Sequence, residues 1–217
     1  MKSVTTVVIN FQTAELLNVA VSSFKTFYPD VKVLVIDNGS KDEGKSKSVI
    51  GKLESEFTNI ESVFLGENIF HGPAMDLAIR KYVDSKFTFF LDSDTETIKS
   101  GFLEEMITSL KLSEMTYGIG ETVRVNKRGY KSDVGIEILQ TPYMVIKNDI
   151  YKSLRPFVHH GQPCMYNFID AKNKGYKLLE FVVSKYIDHL WRGTAGKFGY
   201  GLGIKGKIGF ILNKLGL

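Results

Sequence analysis

Short apolar runs and helical stripes alternate along the first half of the chain. Residues 4–11, 31–36, 60–65 and 87–91 are rich in β-branched, aromatic and other apolar side chains, which predicts four buried strands. After each run, apolar residues recur every three or four positions, as on one face of an amphipathic helix. These helical stripes begin at Leu16, Val49, Met75 and Phe102.

Several turn and cap residues bound the predicted helices. Thr13 and Ser100 precede the first and fourth stripes, where a hydroxyl is suited to capping a helix. Pro29 ends the first helix, and Gly72 with Pro73 opens the third, because proline is well tolerated in a first turn.

The second half of the chain is less regular. Residues 115–125 and 134–146 predict strands, with Gly129 and Pro142 as turn signals. Helices are predicted over 148–154 and 163–174, and extended segments over 176–181 and 184–190.

This order of elements predicts an α/β fold: a mostly parallel sheet with helices on both faces and mixed strands in the second half. No linker, repeat or low-complexity segment interrupts the chain, and 217 residues suit one domain. We therefore expect a single domain over 1–217, made of two halves, 1–112 and 113–196, and a tail, 197–217.

Composition is that of an ordinary globular protein, with 43% hydrophobic and 24% charged residues. The net charge of +4 does not by itself argue for nucleic acid, but it is compatible with an anionic ligand or membrane surface. The single cysteine, Cys164, excludes an internal disulfide and a cysteine-based metal cage, and it favours a reducing, cytoplasmic setting. Without a long apolar run or a charged leader, we expect neither a membrane span nor a signal peptide.

Polar side chains follow three of the predicted strands: Asn10, the pair Asp37-Asn38, and Asp92-Ser93-Asp94. Ligands of parallel sheets bind at the carboxyl ends of strands, so these residues are expected to meet in one crevice. Asp92 and Asp94 repel each other unless a cation joins them, and a hard divalent ion with phosphate oxygens is a natural partner. The alternative for such a pair is a simple polar turn.

Three segments in the same order carry a resemblance to a known family. They are Val7-Val-Ile-Asn-Phe11, then Val33-Leu-Val-Ile-Asp-Asn-Gly-Ser-Lys-Asp42, then Phe89-Phe-Leu-Asp-Ser-Asp94. Together they resemble the family-2 glycosyltransferases of the GT-A fold, a Rossmann-like fold. Glu67-Asn68 and the segment 72–79 are similar to that family's turn and helix before the D-x-D. The match covers the first half of the chain well and the remainder loosely.

The resemblance implies a transferase that moves a sugar from a UDP- or GDP-linked donor to a hydroxyl on a carbohydrate or lipid-linked acceptor. Residues 1–112 would be the nucleotide-binding half and 113–196 the acceptor half. Phe11 would lie against the nucleobase, Asp37 would accept a hydrogen bond from it, and Asp92 would reach the ribose or the metal. The expected donor-binding residues are Asn10, Phe11, Asp37, Asn38, Asn68, Asp76, Asp92 and Arg192.

The same resemblance implies a metal site with Mn²⁺ or Mg²⁺ as cofactor. Asp94 would ligate the ion with Asp92, and His189, in a late segment similar to the family's, would complete the site. An imidazole nitrogen suits Mn²⁺ better than Mg²⁺, which prefers oxygen ligands.

The catalytic base is where this chain departs from the family pattern. Inverting members carry an acidic cluster where residues 159–168 of this chain have no carboxylate. Direct displacement needs a group that takes the proton of the acceptor hydroxyl, and the candidates are His160, Asp133 and Glu137. A retaining mechanism, or a non-catalytic nucleotide-sugar binding relative, remains open.

Two glycine-rich motifs indicate other functions. Residues 39–46 match the G-x4-G-K-[ST] pattern of P-loop nucleotide hydrolases and lie between a predicted strand and a predicted helix. Asp42 and Glu43 are unfavourable in a loop that must hold phosphates, so we rank this reading below the transferase. Residues 201–206 match G-x-G-x-x-G, but no strand leads directly into them.

The tail alternates lysines with apolar residues, which predicts a short basic amphipathic helix over 205–217. Such a helix can lie on an anionic membrane, which would place the protein at the inner face of the membrane. It can equally pack on the domain itself or on a partner subunit in a homo-oligomer. No nucleic-acid partner is expected.

Overall fold

Eleven strands and six α-helices occur in the part of the chain that the computed structural model describes, residues 2–127, 129–158 and 162–190. The strands are β1 (Val4–Asn10), β2 (Lys32–Asp37), β3 (Ile60–Phe64), β4 (Phe87–Leu91), β5 (Thr95–Thr97), β6 (Thr116–Gly120), β7 (Thr122–Val125), β8 (Ile136–Leu139), β9 (Tyr143–Lys147), β10 (Lys177–Glu180) and β11 (Ile187–His189). The helices are α1 (Ala14–Phe27), α2 (Lys45–Glu56), α3 (His71–Leu77), α4 (Phe102–Lys111), α5 (Asn148–Lys152) and α6 (Met165–Asn173). A π-helical segment, Ala78–Tyr82, continues α3, and a 3₁₀ turn, Val183–Lys185, precedes β11.

Seven of the strands form one sheet in the order β10-β6-β9-β4-β1-β2-β3. β1 runs parallel to β2 and β4, and β2 runs parallel to β3. β9 is antiparallel to both β4 and β6, whereas β10 is parallel to β6. The α/β fold with a mostly parallel sheet and mixed strands in the second half is therefore confirmed.

Helices cover both faces of this sheet, because alternate residues of each central strand point to opposite sides. Val33 and Val35 of β2 lie in the core under α1, α2 and α4. Leu34 and Ile36 lie in the core under α3, α5 and α6. β1 and β4 are buried along their whole length, which explains why their sequences are continuous apolar and threonine runs rather than alternating ones.

The predicted strand over 115–125 is wrong as a single element, and so is the one over 134–146. The chain leaves the main sheet at Glu121, forms the separate antiparallel hairpin β7–β8, and returns through Pro142 into β9. The N–H of Gln140 donates to the carbonyl of Glu121 at 2.8 Å, which fixes the base of the hairpin. Each predicted strand is thus divided between two sheets.

Two capping predictions also need correction. Helix α4 begins after Gly101, whose φ of 96° is favoured only by glycine, so Ser100 lies outside the cap position. Thr13 is the residue before α1, but its hydroxyl makes no cap hydrogen bond to the helix. It donates instead to Asn10 Oδ1 at 2.8 Å and lies 3.0 Å from the hydroxyl of Ser93.

Among the described residues, none of the helices combines the length and apolar character needed to cross a bilayer. The tail 197–217, including the helix predicted over 205–217 and the motif 201–206, lies outside the described residues, so that helix stays a prediction.

Candidate active site

The carboxyl ends of β1, β2 and β4, where the sequence predicts a crevice, lie side by side. These strands are parallel neighbours, so their ends meet at one edge of the sheet. The chain leaves β1 into α1 on one face and reaches β4 from α3 on the other face. The two connections diverge between β1 and β4, which is the position where open α/β sheets bind ligands.

Asn10, the last residue of β1, is fully buried and joins three elements by hydrogen bonds. Its amide donates to Asp37 Oδ1 at 2.7 Å and to the hydroxyl of Ser46 at 2.9 Å. Its carbonyl oxygen accepts from Thr13, whose hydroxyl is also 3.0 Å from that of Ser93 in the loop after β4. A buried amide with all its partners made is a rigid link, so Asn10 fixes the three strand ends relative to one another.

The Asp37 carboxylate is buried and held by the turn that follows it. Oδ1 accepts from Asn10 and from the Ser40 hydroxyl at 2.6 Å, and Oδ2 accepts from the Ser40 N–H at 3.1 Å. Ser40 in turn accepts from the Gln12 N–H at 2.9 Å. The carboxylate therefore organises the turn at the end of β2.

Asn38 and Asn68 hold the loop after β3 against this turn. Asn38 Nδ2 donates to Asn68 Oδ1 at 3.1 Å, and the N–H of Ile69 donates to Asn38 Oδ1 at 3.0 Å. Gly39, with φ of 75°, permits the contact, since a Cβ there would lie 2.3 Å from the carbonyl carbon of Glu67. The glycine of the Asp-Asn-Gly sequence is thus required for the close approach of this turn to the backbone of Glu67.

Asp92 and Asp94 meet His189 because a small second sheet brings them together. β5 starts at Thr95, directly after Asp94, and pairs antiparallel with β11, so that His189 lies opposite Thr95. The N–H of Leu190 donates to the Asp94 carbonyl at 2.9 Å. The His189 Nε2 is 3.3 Å from Asp94 Oδ1 and 3.8 Å from Asp92 Oδ2.

These three side chains fit a divalent metal ion. One oxygen of Asp92, one of Asp94 and a nitrogen of His189 all lie within 4.8 Å of one another. Two carboxylates and an imidazole suit Mn²⁺, and an ion held by three protein ligands keeps positions for oxygens of a bound ligand.

The local field of this cluster favours cations. Burial lowers the pKa of His189, but hydrogen bonds and charge attraction from Asp92 and Asp94 more than reverse this, and its pKa is raised to about 9. A positive charge in contact with both carboxylates is therefore stabilised at this position.

Tyr143, at the start of β9, supports the cluster from the side. It pairs with Leu91 across the sheet, and its ring lies edge-on to the His189 imidazole at 6.3 Å between centroids. Burial, together with the nearby carboxylates of Glu121 and Asp92, raises the pKa of Tyr143 to about 12, so the phenol stays neutral.

Glu121 is a carboxylate at this edge that sequence reasoning missed. It follows β6 as Asp92 follows β4, lies beside the Tyr143 hydroxyl, and accepts the N–H of Ser184 at 2.7 Å. The sequence signal is an acid directly after a buried apolar run, but the strand predicted over 115–125 continues through it.

His71 was also missed. It is the first residue of α3, and its Nε2 lies 3.8 Å from Asp92 Oδ1, on the oxygen that does not face His189. Asp92 is thus bracketed by two imidazoles. The preceding residue of the chain, Phe70, is exposed.

The remaining predicted residues lie in different surroundings. Phe11 is half-buried in the bend between β1 and α1. Asp76 lies inside α3, where Oδ1 accepts from Tyr151 at 2.5 Å and from Arg80 at 2.7 Å, so it ties α3 to α5. Burial and that contact raise the pKa of Tyr151.

Two of the three base candidates lie in the β7–β8 hairpin, and neither belongs to the group of Asp92, Asp94 and His189. Glu137 is exposed on β8, opposite Arg124 of β7, and Asp133 is exposed in the hairpin loop. His160 lies outside the described residues, as does Arg192 of the donor-binding set.

The loop over residues 39–46 is not arranged as a phosphate cradle. Its own Asp42 carboxylate accepts from the N–H of Ser46 at 3.0 Å and from the Ser46 hydroxyl at 2.6 Å. A carboxylate thus occupies the start of α2, where a P-loop must present free donors to phosphate. Lys45 is exposed.

A known family matches most of this chain. The profile described as glycosyl transferase family 2 matches residues 5–172, more than half of the chain. No curated protein matches the sequence significantly.

Several solved glycosyltransferase structures share the fold. The mannosyltransferase PcManGT from Pyrobaculum calidifontis, in complex with GDP-Man and Mn²⁺, superposes with a TM-score of 0.66 at 15% identity, over 83% of this chain and 55% of that one. Glucosyl-3-phosphoglycerate synthase from Mycobacterium tuberculosis, with Mn²⁺, UDP and glucosyl-3-phosphoglycerate, superposes with a TM-score of 0.63 at 14% identity, over 100% of this chain and 81% of that one. Residues 1–349 of TarS from S. aureus, with UDP-GlcNAc, superpose with a TM-score of 0.59 at 15% identity, over 89% of this chain and 61% of that one. The chain thus spans less than two thirds of the first and third of these proteins.

Proposed function

The chain belongs to glycosyl transferase family 2, and we propose that it transfers a sugar from a metal-bound nucleoside-diphosphate donor to a hydroxyl acceptor. The observation that carries the proposal is the cluster of Asp92, Asp94 and His189, at the point of the sheet where its connections diverge. The relatives with GDP-Man, UDP or UDP-GlcNAc support a UDP- or GDP-linked donor.

We assign the nucleoside to the β1–β2 side of the crevice. Phe11 offers an aromatic face, and Asp37 offers a carboxylate held at fixed position by Asn10 and Ser40. Asn38 and Asn68 fix the adjoining loop, so a base there meets a preformed surface and little ordering is needed on binding.

The diphosphate then lies at the β4 side. Asp92, Asp94 and His189 would hold Mn²⁺ or Mg²⁺, and the bound ion would neutralise the charge that develops on the departing nucleoside diphosphate. Tyr143 keeps the His189 ring in place, and the β5–β11 pairing keeps His189 next to Asp94.

The acceptor is assigned to the side of the sheet that carries the hairpin β7–β8. A proton must leave the acceptor hydroxyl in a direct displacement, and a carboxylate can take it. Asp133 and Glu137 of the hairpin and His160 remain candidates, and Glu121 joins them because it stands at the end of β6, near Tyr143. Carbohydrate and lipid-linked glycans are the acceptor classes proposed. The domain is proposed to span 1–217.

Calorimetric titration tests the function. UDP and GDP are each titrated with and without Mn²⁺, and ATP is titrated with Mg²⁺. We expect Mn²⁺-dependent binding of one nucleoside diphosphate, and the one that binds identifies the nucleobase of the donor. Binding of ATP alone, lost in Lys45→Ala, would overturn the transferase in favour of a P-loop nucleotide hydrolase.

Turnover separates an enzyme from a binding protein. Release of the nucleoside diphosphate from a panel of UDP- and GDP-sugars is measured with and without candidate acceptors. Tight donor binding with no release in any combination would support the non-catalytic alternative. Glu121→Gln, Asp133→Asn, Glu137→Gln and His160→Asn, compared in the same assay, would identify the base by the loss of turnover without loss of donor binding.

A further inference from the structure

Phe70 has a backbone conformation that a bulky residue rarely adopts. Its φ is 71° and its ψ is 164°, in a region populated almost only by glycine. The other positive-φ residues with side chains in the described ranges, Gln12, Glu43 and Asn59, have φ between 56° and 60°. A strained conformation at an aromatic residue persists only where the surrounding structure imposes it.

Burial of the Phe70 ring in the core does not compensate for this strain. Phe70 is 42% exposed, whereas Phe90, Phe157 and Phe168 on the same face of the sheet are at most 2% exposed. An exposed aromatic ring on a strained backbone is a feature of a binding surface rather than of a core.

The residues on both sides of Phe70 make contacts near the ends of β2 and β4. The N–H of Phe70 donates to Asn68 Oδ1 at 2.8 Å, and the same oxygen accepts from Asn38, the neighbour of Asp37. On the other side, His71 reaches to 3.8 Å from Asp92. The residue therefore lies between the end of β2 and the metal cluster, in the wall next to α3.

We propose that Phe70 binds the nucleoside part of the donor, as the counterpart in the α3 wall of Phe11 in the α1 wall. The inference rests on the proposed function. An uncharged ring offers nothing to a diphosphate, but its face can stack on a nucleobase or lie against a ribose. The strained backbone is what keeps the ring at the crevice instead of in the core.

Three variants test the proposal by calorimetry. Phe70→Ala removes the ring and keeps a side chain at the strained position; Phe70→Gly removes both the ring and the strain; Phe70→Trp keeps an aromatic face. Each is titrated with the Mn²⁺ complexes of UDP, of GDP and of inorganic pyrophosphate, which has the same diphosphate but no nucleoside.

The expected result is a selective loss. For the nucleoside diphosphate that the wild type binds, affinity falls about tenfold or more in the alanine and glycine variants and is retained in Phe70→Trp. Affinity for Mn²⁺-pyrophosphate stays unchanged in all three. Unchanged nucleoside-diphosphate binding in the alanine and glycine variants, or an equal loss for pyrophosphate, would overturn the role of Phe70.

Thermal melting provides a second readout. Glycine adopts this φ and ψ without strain, whereas alanine does not. Phe70→Gly should therefore melt a few degrees above Phe70→Ala, although at most positions the alanine variant is the more stable of the two. If the alanine variant melts higher, the backbone strain on which the proposal depends is absent, and the proposal is overturned.

The wild type separates the two hypotheses. A wild-type protein that binds neither UDP nor GDP with Mn²⁺ overturns the proposed function and the role of Phe70 together. A wild type that binds one of them, with variants that bind it equally well, overturns the role of Phe70 alone.

Discussion

His189 Nε2 lies 3.3 Å from Asp94 Oδ1, and the pairing of β11 with β5 is what brings the two side chains together. β5 carries the chain away from Asp94 while β11 runs antiparallel to it and ends at His189. The distance between the His189 and Asp94 side chains is therefore set largely by the backbone hydrogen bonds between β5 and β11. Changes to the side chains should alter metal binding without altering the fold.

Asp94→Asn removes one charged ligand and keeps the shape of the side chain. We expect Mn²⁺-dependent binding of UDP or GDP to fall at least about 100-fold, because a neutral amide is a poor metal ligand. Calorimetry measures this. Asp188→Asn is the matched control, since Asp188 is the exposed neighbour of His189 on β11 and should leave affinity unchanged. Equal affinity in Asp94→Asn and Asp188→Asn would exclude Asp94 as a ligand.

Tyr143→Ala should weaken Mn²⁺ binding about tenfold, because the ring that lies edge-on to His189 would be lost and the imidazole would gain freedom. Tyr143→Phe keeps the ring and should bind Mn²⁺ as the wild type does. The comparison is made by titrating Mn²⁺ and following its paramagnetic signal. A loss in the phenylalanine variant as large as in the alanine variant would assign the effect to the hydroxyl near Glu121 instead.

Asn10→Ala should destabilise the protein by about 2–4 kcal/mol, since Asp37, Ser46 and Thr13 would each lose a buried partner. Urea unfolding followed by circular dichroism gives the free energy of unfolding. Thr26→Ala is a suitable control: its hydroxyl donates to the Ser22 carbonyl on the exposed face of α1, and its removal should change stability by less than ~0.5 kcal/mol. If both variants lose equally little, Asn10 is not the link between the strand ends.

Gly39→Ala and Gly51→Ala should have opposite effects on stability. At Gly39 a Cβ would lie 2.3 Å from a backbone carbon of Glu67 at a φ of 75°, so we expect a loss of about 3 kcal/mol or more and weaker donor binding as the loop is displaced. At Gly51, inside α2, a Cβ meets nothing within 4 Å, and alanine should stabilise the helix by about 0.5–1 kcal/mol. Thermal and urea unfolding of the pair would detect the difference, and equal effects would contradict it.

Cys164 should resist alkylation in the folded protein. Its thiol is fully buried, and burial, with a contribution from the charge of Asp92, raises its pKa well above the ordinary value. The thiolate is the reactive form, so iodoacetamide should modify the native protein very slowly even at pH 9 and the urea-unfolded protein rapidly. Mass spectrometry gives both rates, and because the chain has one cysteine the signal is unambiguous. Similar native and unfolded rates would contradict the buried position.

The end of β6 is a feature that local sequence patterns do not predict. The apolar residues of β6 predicted a strand, but nothing local marked Glu121 as the point where the chain leaves the sheet, because the apolar pattern continues into β7. That choice depends on β9 and β10, which flank β6 in the sheet but come much later in the chain. Glu121 was missed for this reason. Asp133 and Glu137 lie in the β7–β8 hairpin, and no local sequence pattern predicts that this hairpin is separate from the main sheet.

What the sequence by itself determined are the elements whose stability is local or repetitive: the runs that became β1 to β4, the stripes of α1 to α4, and the turn Asp37-Asn38-Gly39. The tertiary structure alone decided which side chains meet. The approach of His189 to Asp94, of His71 to Asp92, and the assignment of Asp76 to a contact with Tyr151 all depend on pairing and packing between distant segments. Periodicity records which face of an element is buried, but it carries no information on which distant element covers that face, since hydrophobic burial is non-directional.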